Sequence, residues 1–267
     1  MTKRTLVSAI LAGMLLSPLA NAGDLDSAVS NELRTEKNVQ RDDARHPKET
    51  LAFFGIQPNH TVIELWPGGR WYAEILAPYL AKEGHYIGAN FDANPPADVK
   101  SPGYRIRLGK ALDEWISTHQ SDLGKASSFA FEPPRLSSLG EDNSADMVLT
   151  FRNLHNWAMN DQLETVFESA YKVLKPGGVF GVVEHRGKPG MDAKSGYMEQ
   201  QATIDLAKKV GFILAASSEV NANPKDTKDH PKGVWTLPPR LALGDQDKAK
   251  YQAIGESDRM TLKFIKN

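Results

Sequence analysis

The sequence predicts an α/β fold: a doubly wound, mostly parallel sheet of seven strands with an antiparallel last strand. From Thr61 onward, apolar runs of strand length alternate with amphipathic runs of helix length. This alternation is typical of a parallel sheet covered by helices on both faces. The final apolar run, residues 259–265, has no helix after it, so it can insert antiparallel to its neighbours.

The predicted strands are short apolar runs rich in β-branched and aromatic residues, which favour extended structure. They are residues 61–66, 86–91, 127–131, 146–151, 179–184, 212–220 and 259–265. Helices are predicted where apolar residues recur three or four positions apart, as Leu108, Leu112 and Ile116 do. These helices are residues 71–81, 106–119, 161–174 and 198–210, and Gly211 ends the last of them.

The hexapeptide 173–178, Val-Leu-Lys-Pro-Gly-Gly, links one predicted helix to the next strand. Pro176 cannot extend a helix, and Gly177 or Gly178 can take the positive φ that reverses the chain. The sequence therefore predicts a helix, a tight turn and a buried strand that ends on Glu184 and His185.

The segment before the first strand is polar and is predicted to form an N-terminal helical lid, residues 23–60. We expect two helical pieces, with a break at 41–47 and a second helix from Pro47 to Phe54, because proline is well tolerated in a first helical turn. Residues 61–267 are predicted to form one α/β domain, with an insertion at about 221–257.

The first 22 residues have the pattern of a secretory signal peptide. A basic start is followed by an apolar run, 6–16, that is too short to span a bilayer, and then by Ala20-Asn21-Ala22, a small-residue cleavage site. An uncleaved anchor or a core helix is the alternative. With the signal removed, no stable membrane span is expected, and the protein is predicted to be periplasmic or secreted.

Composition narrows the function classes. The chain has 267 residues, a formal net charge of −1 and no cysteine. Near-neutral charge gives no sign of a nucleic-acid or anionic-membrane partner. Without cysteine there is no disulfide framework, thiolate nucleophile or thiolate metal site. The histidines are dispersed without metal-ligand spacing, so no metal is predicted, and the oligomeric state is left open.

Ligands of doubly wound sheets bind beyond the carboxyl ends of the strands. After the first strand stands Glu64, followed by Trp66 and the turn glycines Gly68 and Gly69. Glycines let a backbone approach a ligand closely, and the following helix start favours a carboxylate. A tight turn that binds nothing is the alternative for this segment.

Polar residues also follow the other strands. Asn90 and Asp92 follow the second strand, and Glu132 follows the third. The alternative for these carboxylates is a solvated turn or surface group. Asn153 and His155 follow the fourth strand, and Glu184 and His185 end the fifth. Histidine is the usual side chain for proton transfer near neutral pH. The structural alternatives are that His155 holds its loop in place through hydrogen bonds and that Glu184 and Arg186 pair with each other.

Together these motifs resemble the class I S-adenosyl-L-methionine-dependent methyltransferases, which have a Rossmann-like fold. Segments 45–56, 62–80, 151–157 and 256–266 resemble, more narrowly, a group of exported bacterial predicted methyltransferases. The sequence differs from the family pattern at the first turn, where Trp66 and Arg70 stand at the first and third glycine positions.

The resemblance implies S-adenosyl-L-methionine as the cofactor. The residues it implies for cofactor binding are Glu64, Trp66, Gly68, Gly69, Asn90, Asp92, Glu132 and Asn153. At the second strand it leaves Asn90 or Asp92 as the acceptor for the ribose hydroxyls. His155, Glu184 and His185 are implied to face the substrate, with His155 or His185 as the base. Trp235 and the adjacent prolines, and Arg41, Arg45 and His46 on the lid, are implied to close the site.

The implied reaction is an in-line displacement in which a small-molecule acceptor attacks the methyl group of S-adenosyl-L-methionine, and the protein aligns the reactants and excludes water. The alternative is an exported binding protein that keeps the fold without catalysis, favoured by Trp66, Pro67, Arg70 and Asn90. A nicotinamide dehydrogenase fits less well, because its turn needs Gly-x-Gly-x-x-Gly.

Overall fold

The structure is a computed structural model that describes residues 22–267. The predicted signal peptide therefore lies outside the described residues, apart from Ala22. Within the described part of the chain, no helix has both the length and the apolar character that a membrane crossing requires.

Eight of the nine strands in the described part of the chain form one mixed sheet around which the helices pack, and the short strand at residues 231–234 is not part of it. Their bounds are β1 Thr61–Leu65, β2 His85–Asn90, β3 Ser127–Ala130, β4 Ala145–Phe151, β5 Leu174–Gly187, β6 Met198–Glu199, β7 Phe212–Ser218, β8 Pro231–Val234 and β9 Arg259–Lys266. The main path runs β3-β2-β1-β4-β5-β9-β7, and the two-residue β6 pairs with β5. β9 is antiparallel to both β5 and β7. The predicted fold class is confirmed.

Four short helices precede the sheet where the sequence predicts two helical pieces. They are α1 Ala22–Val29, α2 Glu36–Val39, α3 Asp42–Arg45 and α4 Pro47–Phe54. Pro47 occupies the first turn of α4, as expected, and Gly55 ends the helix at φ 81°. The segment predicted as a break contains α3, which ends on His46 in the left-handed conformation.

The remaining helices cover both faces of the sheet. They are α5 Ala73–Leu80, α6 Gly103–Thr118, α7 Gln120–Leu123, α8 Leu154–Ala158, α9 Leu163–Val173, α10 Gln200–Val210 and α11 Lys248–Ile254, with a 3-10 turn at Ala193–Ser195. Leu51 of α4 and Leu76 of α5 are buried on one face. Phe167 of α9 and Ile204 of α10 are buried on the other. Apolar burial on two faces explains why the strands read as nearly continuous apolar runs.

The helix α9 ends at Val173, and β5 begins at once at Leu174, five residues before the predicted strand, and continues to Gly187. The predicted turn is a bulge within β5, where the register with β4 shifts and Gly177 takes φ 79°. Leu65 lies opposite Thr150 on β4, and Phe151 lies opposite Val183 on β5. The carboxyl ends of β1, β4 and β5 are therefore neighbours, and the side chains that follow them share one edge of the sheet.

Candidate active site

A cavity of about 310 Å³ opens at that shared edge. The first turn contributes Glu64, Trp66, Gly68 and Gly69 to its wall. The segments after β4 and β5 contribute Arg152, Asn153, His155 and His185. Further side chains come from the N-terminal helices and the C-terminal third, namely Arg41, Trp235, Leu237, Pro238, Pro239, Arg240, Glu256 and Ser257. The sheet edge thus brings together residues that are far apart in sequence.

The first turn forms an open cradle. Gly68 has φ 56°, and a side chain built there would meet only the Trp66 carbonyl, at 3.8 Å. At Gly69 an added Cβ would meet no protein atom within 4 Å, and its φ lies outside the left-handed region. The Arg70 guanidinium turns away, with Nη1 donating to the Ala111 carbonyl over 3.3 Å. The space in front of both glycines is free for a ligand.

Trp66 is held as a structural side chain rather than as a free ligand platform. Its Nε1 donates to the Phe131 carbonyl over 2.7 Å. Its ring centroid lies 4.8 Å from that of Phe91 and 4.6 Å from that of Trp157. The Arg105 guanidinium sits 4.7 Å from the Trp66 ring centroid. Trp66 therefore ties together the ends of β1, β2 and β3, and it presents only part of its surface to the cavity.

Glu64 lies buried at the end of β1, where the Tyr86 hydroxyl donates to its Oε2 over 2.8 Å. Burial raises the pKa of Glu64 to about 8, although Tyr86 and the Arg152 charge oppose that rise. At neutral pH the side chain is therefore mostly the protonated acid, a donor facing the cradle.

Glu184 lies beneath the cavity wall and organises the residues that follow β4 and β5. Its Oε2 accepts the Leu154 amide N–H over 2.6 Å, and its Oε1 accepts the His185 amide N–H over 2.7 Å. The same Oε1 lies 3.3 Å from His155 Nδ1. Glu184 is fully buried and does not line the cavity, which corrects the expectation that it faces the substrate. Arg186 pairs instead with Glu219 and Asp258.

The two histidines do reach the cavity. Asn156 Nδ2 lies 3.1 Å from His155 Nε2, and an amide can only donate there. This network assigns the His155 proton to Nδ1, facing Glu184. Burial, then the charges of His155 and of nearby arginines, lower the pKa of His185 well below its usual value. His185 is therefore neutral near pH 7, and its Nδ1 hydrogen-bonds the Ser257 hydroxyl.

His155, Glu184 and His185 are close enough to meet the distance condition for a metal site, with ligand atoms within 4.8 Å of one another. However, both Glu184 oxygens already accept hydrogen bonds from backbone amides. A carboxylate used in this way braces the loop and has few lone pairs left for a cation. These hydrogen bonds favour a structural role for Glu184 in holding the loop, and the absence of a metal stays a prediction.

Of the four remaining residues predicted to bind the cofactor, one lines the cavity and three do not. Asn153 lines the cavity and donates to the Leu65 carbonyl. Asn90 lies on a separate depression, and its Oδ1 is buried without a hydrogen-bond partner. Asp92 and Glu132 both contact Arg135, at 2.7 and 3.7 Å, and neither lines the cavity. Glu132 keeps one buried oxygen without a partner.

An arginine cluster on the far side of the cavity surrounds one carboxylate, Glu256. Arg41 Nε lies 2.6 Å from Glu256 Oε1, and Arg259 Nη1 lies 3.2 Å from Oε2. Arg45 Nε lies 3.5 Å from the same Oε2. Hydrogen bonding to Arg41 and the charges of the other arginines hold the pKa of Glu256 at about 2, against the opposing effect of burial.

Arg152 is the fourth member of this arginine cluster. It takes φ 63° directly after β4. Burial lowers the pKa of Arg152 to about 10, and within residues 22–267 no hydrogen bond or ion pair engages its guanidinium. In the sequence, Arg152 stands out only as part of segment 151–157, and its position beside Glu256 was not predicted. A signal was present in the polar run 256–259 that leads into β9.

A family model described as "Methyltransferase domain" matches residues 120–182, which include β3, β4 and the start of β5. The chain has the class I S-adenosylmethionine-dependent methyltransferase fold. The predicted fold is thereby confirmed. The exported group named in the sequence analysis stays a prediction. No curated protein matches the chain significantly by sequence.

Solved structures with this methyltransferase fold are similar over most of the chain. A SAM-dependent methyltransferase from Aquifex aeolicus is 11% identical, with a TM-score of 0.54, covering 92% of this chain and 98% of its own. A putative sarcosine dimethylglycine methyltransferase from Galdieria sulphuraria is 18% identical, with a TM-score of 0.56 and 86% of each chain covered.

The cyclase SpnF is also similar to this chain, at 13% identity and a TM-score of 0.54, with 91% of this chain and 93% of SpnF covered. One fold therefore carries different reactions, so the site has to decide the chemistry.

Proposed function

We propose that the chain transfers a methyl group from S-adenosylmethionine to a small-molecule acceptor by in-line displacement. The observation that carries this proposal is the cradle of Gly68 and Gly69, which shares one cavity with His155 and His185. The sheet edge is where ligands bind in this class of fold. The binding-protein alternative is not favoured, because the cavity places a proton acceptor beside the ligand cradle.

The donor set fits the cofactor. Gly68 and Gly69 leave room for its amino-acid end, and the protonated Glu64 lies beside them. Asn90 and Glu132 lie outside the cavity lining, but each keeps a buried, unpartnered oxygen of the kind that accepts from the hydroxyl and amine donors of a nucleoside. Arg105 covers the Trp66–Phe91 pair, so it must move before a nucleobase can stack there. Bound S-adenosylmethionine supplies an activated methyl group on a positively charged sulfur.

The chain's own residues position the acceptor and take its proton. Glu184 orients His155 through Nδ1, so Nε2 is the basic atom available once Asn156 yields its hydrogen bond. A buried carboxylate also stabilises the imidazolium that forms when His155 accepts a proton. The indole of Trp235 lies 5.9 Å from the His155 ring centroid and, with Pro238 and Pro239, helps to exclude water.

Replacing Gly69 with valine tests the cradle. Its added side chain meets no protein atom within 4 Å of Cβ, so the variant is expected to fold while filling the ligand space. We expect Gly69→Val to weaken binding of S-adenosylmethionine and S-adenosylhomocysteine at least ten-fold, measured by calorimetry. Gly68→Val is a poorer probe, because φ 56° strains any larger residue.

The matched control is Ala52→Val on the exposed face of α4, which adds bulk away from the cavity. Its cofactor affinity and circular dichroism are expected to equal those of the wild type. Unchanged affinity in a folded Gly69→Val protein would remove the first turn from the cofactor site.

We also propose that the protein works outside the cytoplasm, on the basis of the basic, apolar and small-residue pattern of residues 1–22. When the full chain is expressed in a bacterium, the periplasmic fraction should contain a species whose intact mass corresponds to a chain beginning at Gly23. A full-length cytoplasmic product as the sole species would contradict this localisation.

A further inference from the structure

We infer that the methyl acceptor is a small organic anion, a carboxylate or phosphate ester, whose charged group binds Arg152 and Arg41 in the cavity. The inference rests on the proposed function and specifies its substrate class. Three independent observations support it: unsatisfied guanidinium groups, an uncompensated charge and a basic groove that adjoins the cavity.

The arginine cluster contains donors that no protein acceptor satisfies. All three side-chain nitrogens of Arg45 are buried without a hydrogen-bond partner, and so is Arg41 Nη2. The Arg45 guanidinium packs over the Trp71 ring at 4.6 Å, which covers one face but leaves its N–H groups unused. Buried unsatisfied donors are costly. Arg41 lines the cavity, so an anion bound there would accept from its Nη2, whereas Arg45 does not line the cavity and contributes only its charge.

The charges beside the cavity do not balance. Arg41, Arg45, Arg152 and Arg259 supply four positive charges, against two carboxylates, Glu256 among them and Glu184 beneath the cavity wall. Glu64, with its pKa near 8, is mostly neutral at pH 7. The cofactor cannot compensate, because its sulfonium and ammonium outweigh its single carboxylate. An anionic acceptor supplies the missing negative charge, and guanidinium groups match carboxylate and phosphate geometry.

A second, larger groove of about 1310 Å³ adjoins the cavity through Trp235 and Arg240, which line both. Lys194, Lys232 and Arg240 line this groove, and none of them forms an ion pair with another residue in the described range. Asp229 is the acidic residue on its wall, and Lys228 is already paired with Asp258. A cleft lined mainly by one sign of charge steers ligands of the opposite sign inward.

The test is calorimetric titration of the full chain at low ionic strength with inorganic phosphate and with succinate, each with and without saturating S-adenosylhomocysteine. We expect one anion to bind per chain, both with and without S-adenosylhomocysteine. Arg152→Gln should weaken that binding at least ten-fold. The control, Arg107→Gln on the exposed part of α6, should stay within two-fold of the wild type. Arg152→Lys keeps the positive charge but loses the planar pair of N–H donors that a guanidinium offers, so an intermediate affinity is expected.

Three results would overturn the inference. They are the absence of binding by either anion, equal affinity in a folded Arg152→Gln protein, and complete displacement of the anion by S-adenosylhomocysteine. The last would show that the arginines serve only the cofactor carboxylate. Binding of S-adenosylhomocysteine without anion binding would contradict this inference and leave the proposed function standing. Anion binding without any S-adenosylhomocysteine binding would contradict the proposed function, and with it the inference that the anion is a methyl acceptor.

Discussion

Glu184→Ala should lower the free energy of unfolding by roughly 4 kcal/mol, because it leaves three buried donors without an acceptor. Those donors are the Leu154 and His185 amides and the His155 ring. Glu184→Gln keeps one acceptor oxygen but turns an NH₂ group toward a backbone N–H, so about half of that loss is expected. Urea denaturation followed by circular dichroism measures both variants.

Glu168→Gln is the control, since Glu168 is exposed on α9. Its unfolding free energy should stay within about 0.5 kcal/mol of the wild type. If Glu184→Ala were as stable as this control, the segment after β4 would not depend on the carboxylate, and the orientation assigned to His155 would lose its basis.

A strong pH dependence of stability is expected from Glu64. Its pKa in the folded protein, about 8, lies above the ordinary value of 4.5 because the side chain is buried. The unfolded chain therefore loses this proton first as pH rises. The resulting stabilisation is complete below about pH 4.5, declines as pH rises toward 8 and is lost above it.

Glu64→Gln isolates this effect, because glutamine stays neutral and can still accept from the Tyr86 hydroxyl. Between pH 5 and pH 9 the wild type should lose roughly 4 kcal/mol of unfolding free energy relative to Glu64→Gln. Other titrating groups contribute similarly to both proteins and cancel in the comparison. Parallel stability curves for the two proteins would mean that Glu64 titrates normally and is ionised at neutral pH.

Much of the fold follows from local sequence. Each central strand is a buried apolar run bounded by turn residues, so the predicted β1 and β4 differ from the observed strands by one residue at one end. The position of the cavity follows from topology, because side chains after neighbouring parallel strands must meet at one edge. That reasoning brought Gly68, His155 and His185 together before any geometry was known.

Contacts across long sequence separations could not be predicted in this way. Trp66 stands at a position where the family pattern has glycine, yet its indole is fixed by a carbonyl 65 residues away, at Phe131. Nothing local in the sequence encodes that partner. The helix α8 was also missed, because its five residues are too few to establish a helical period and its buried Trp157 is held by tertiary packing.

The insertion of β9 between β5 and β7 has a consequence for when the protein becomes active. Glu256 and Arg259 flank the start of this strand, 215 residues along the chain from Arg41 and Ala44, which they contact. A nascent polypeptide could therefore pair β1 to β5 while still on the ribosome, but Glu256 and Arg259 could not contact the N-terminal segment until the final strand emerged. Any activity that needs these contacts must start only after synthesis has reached that strand.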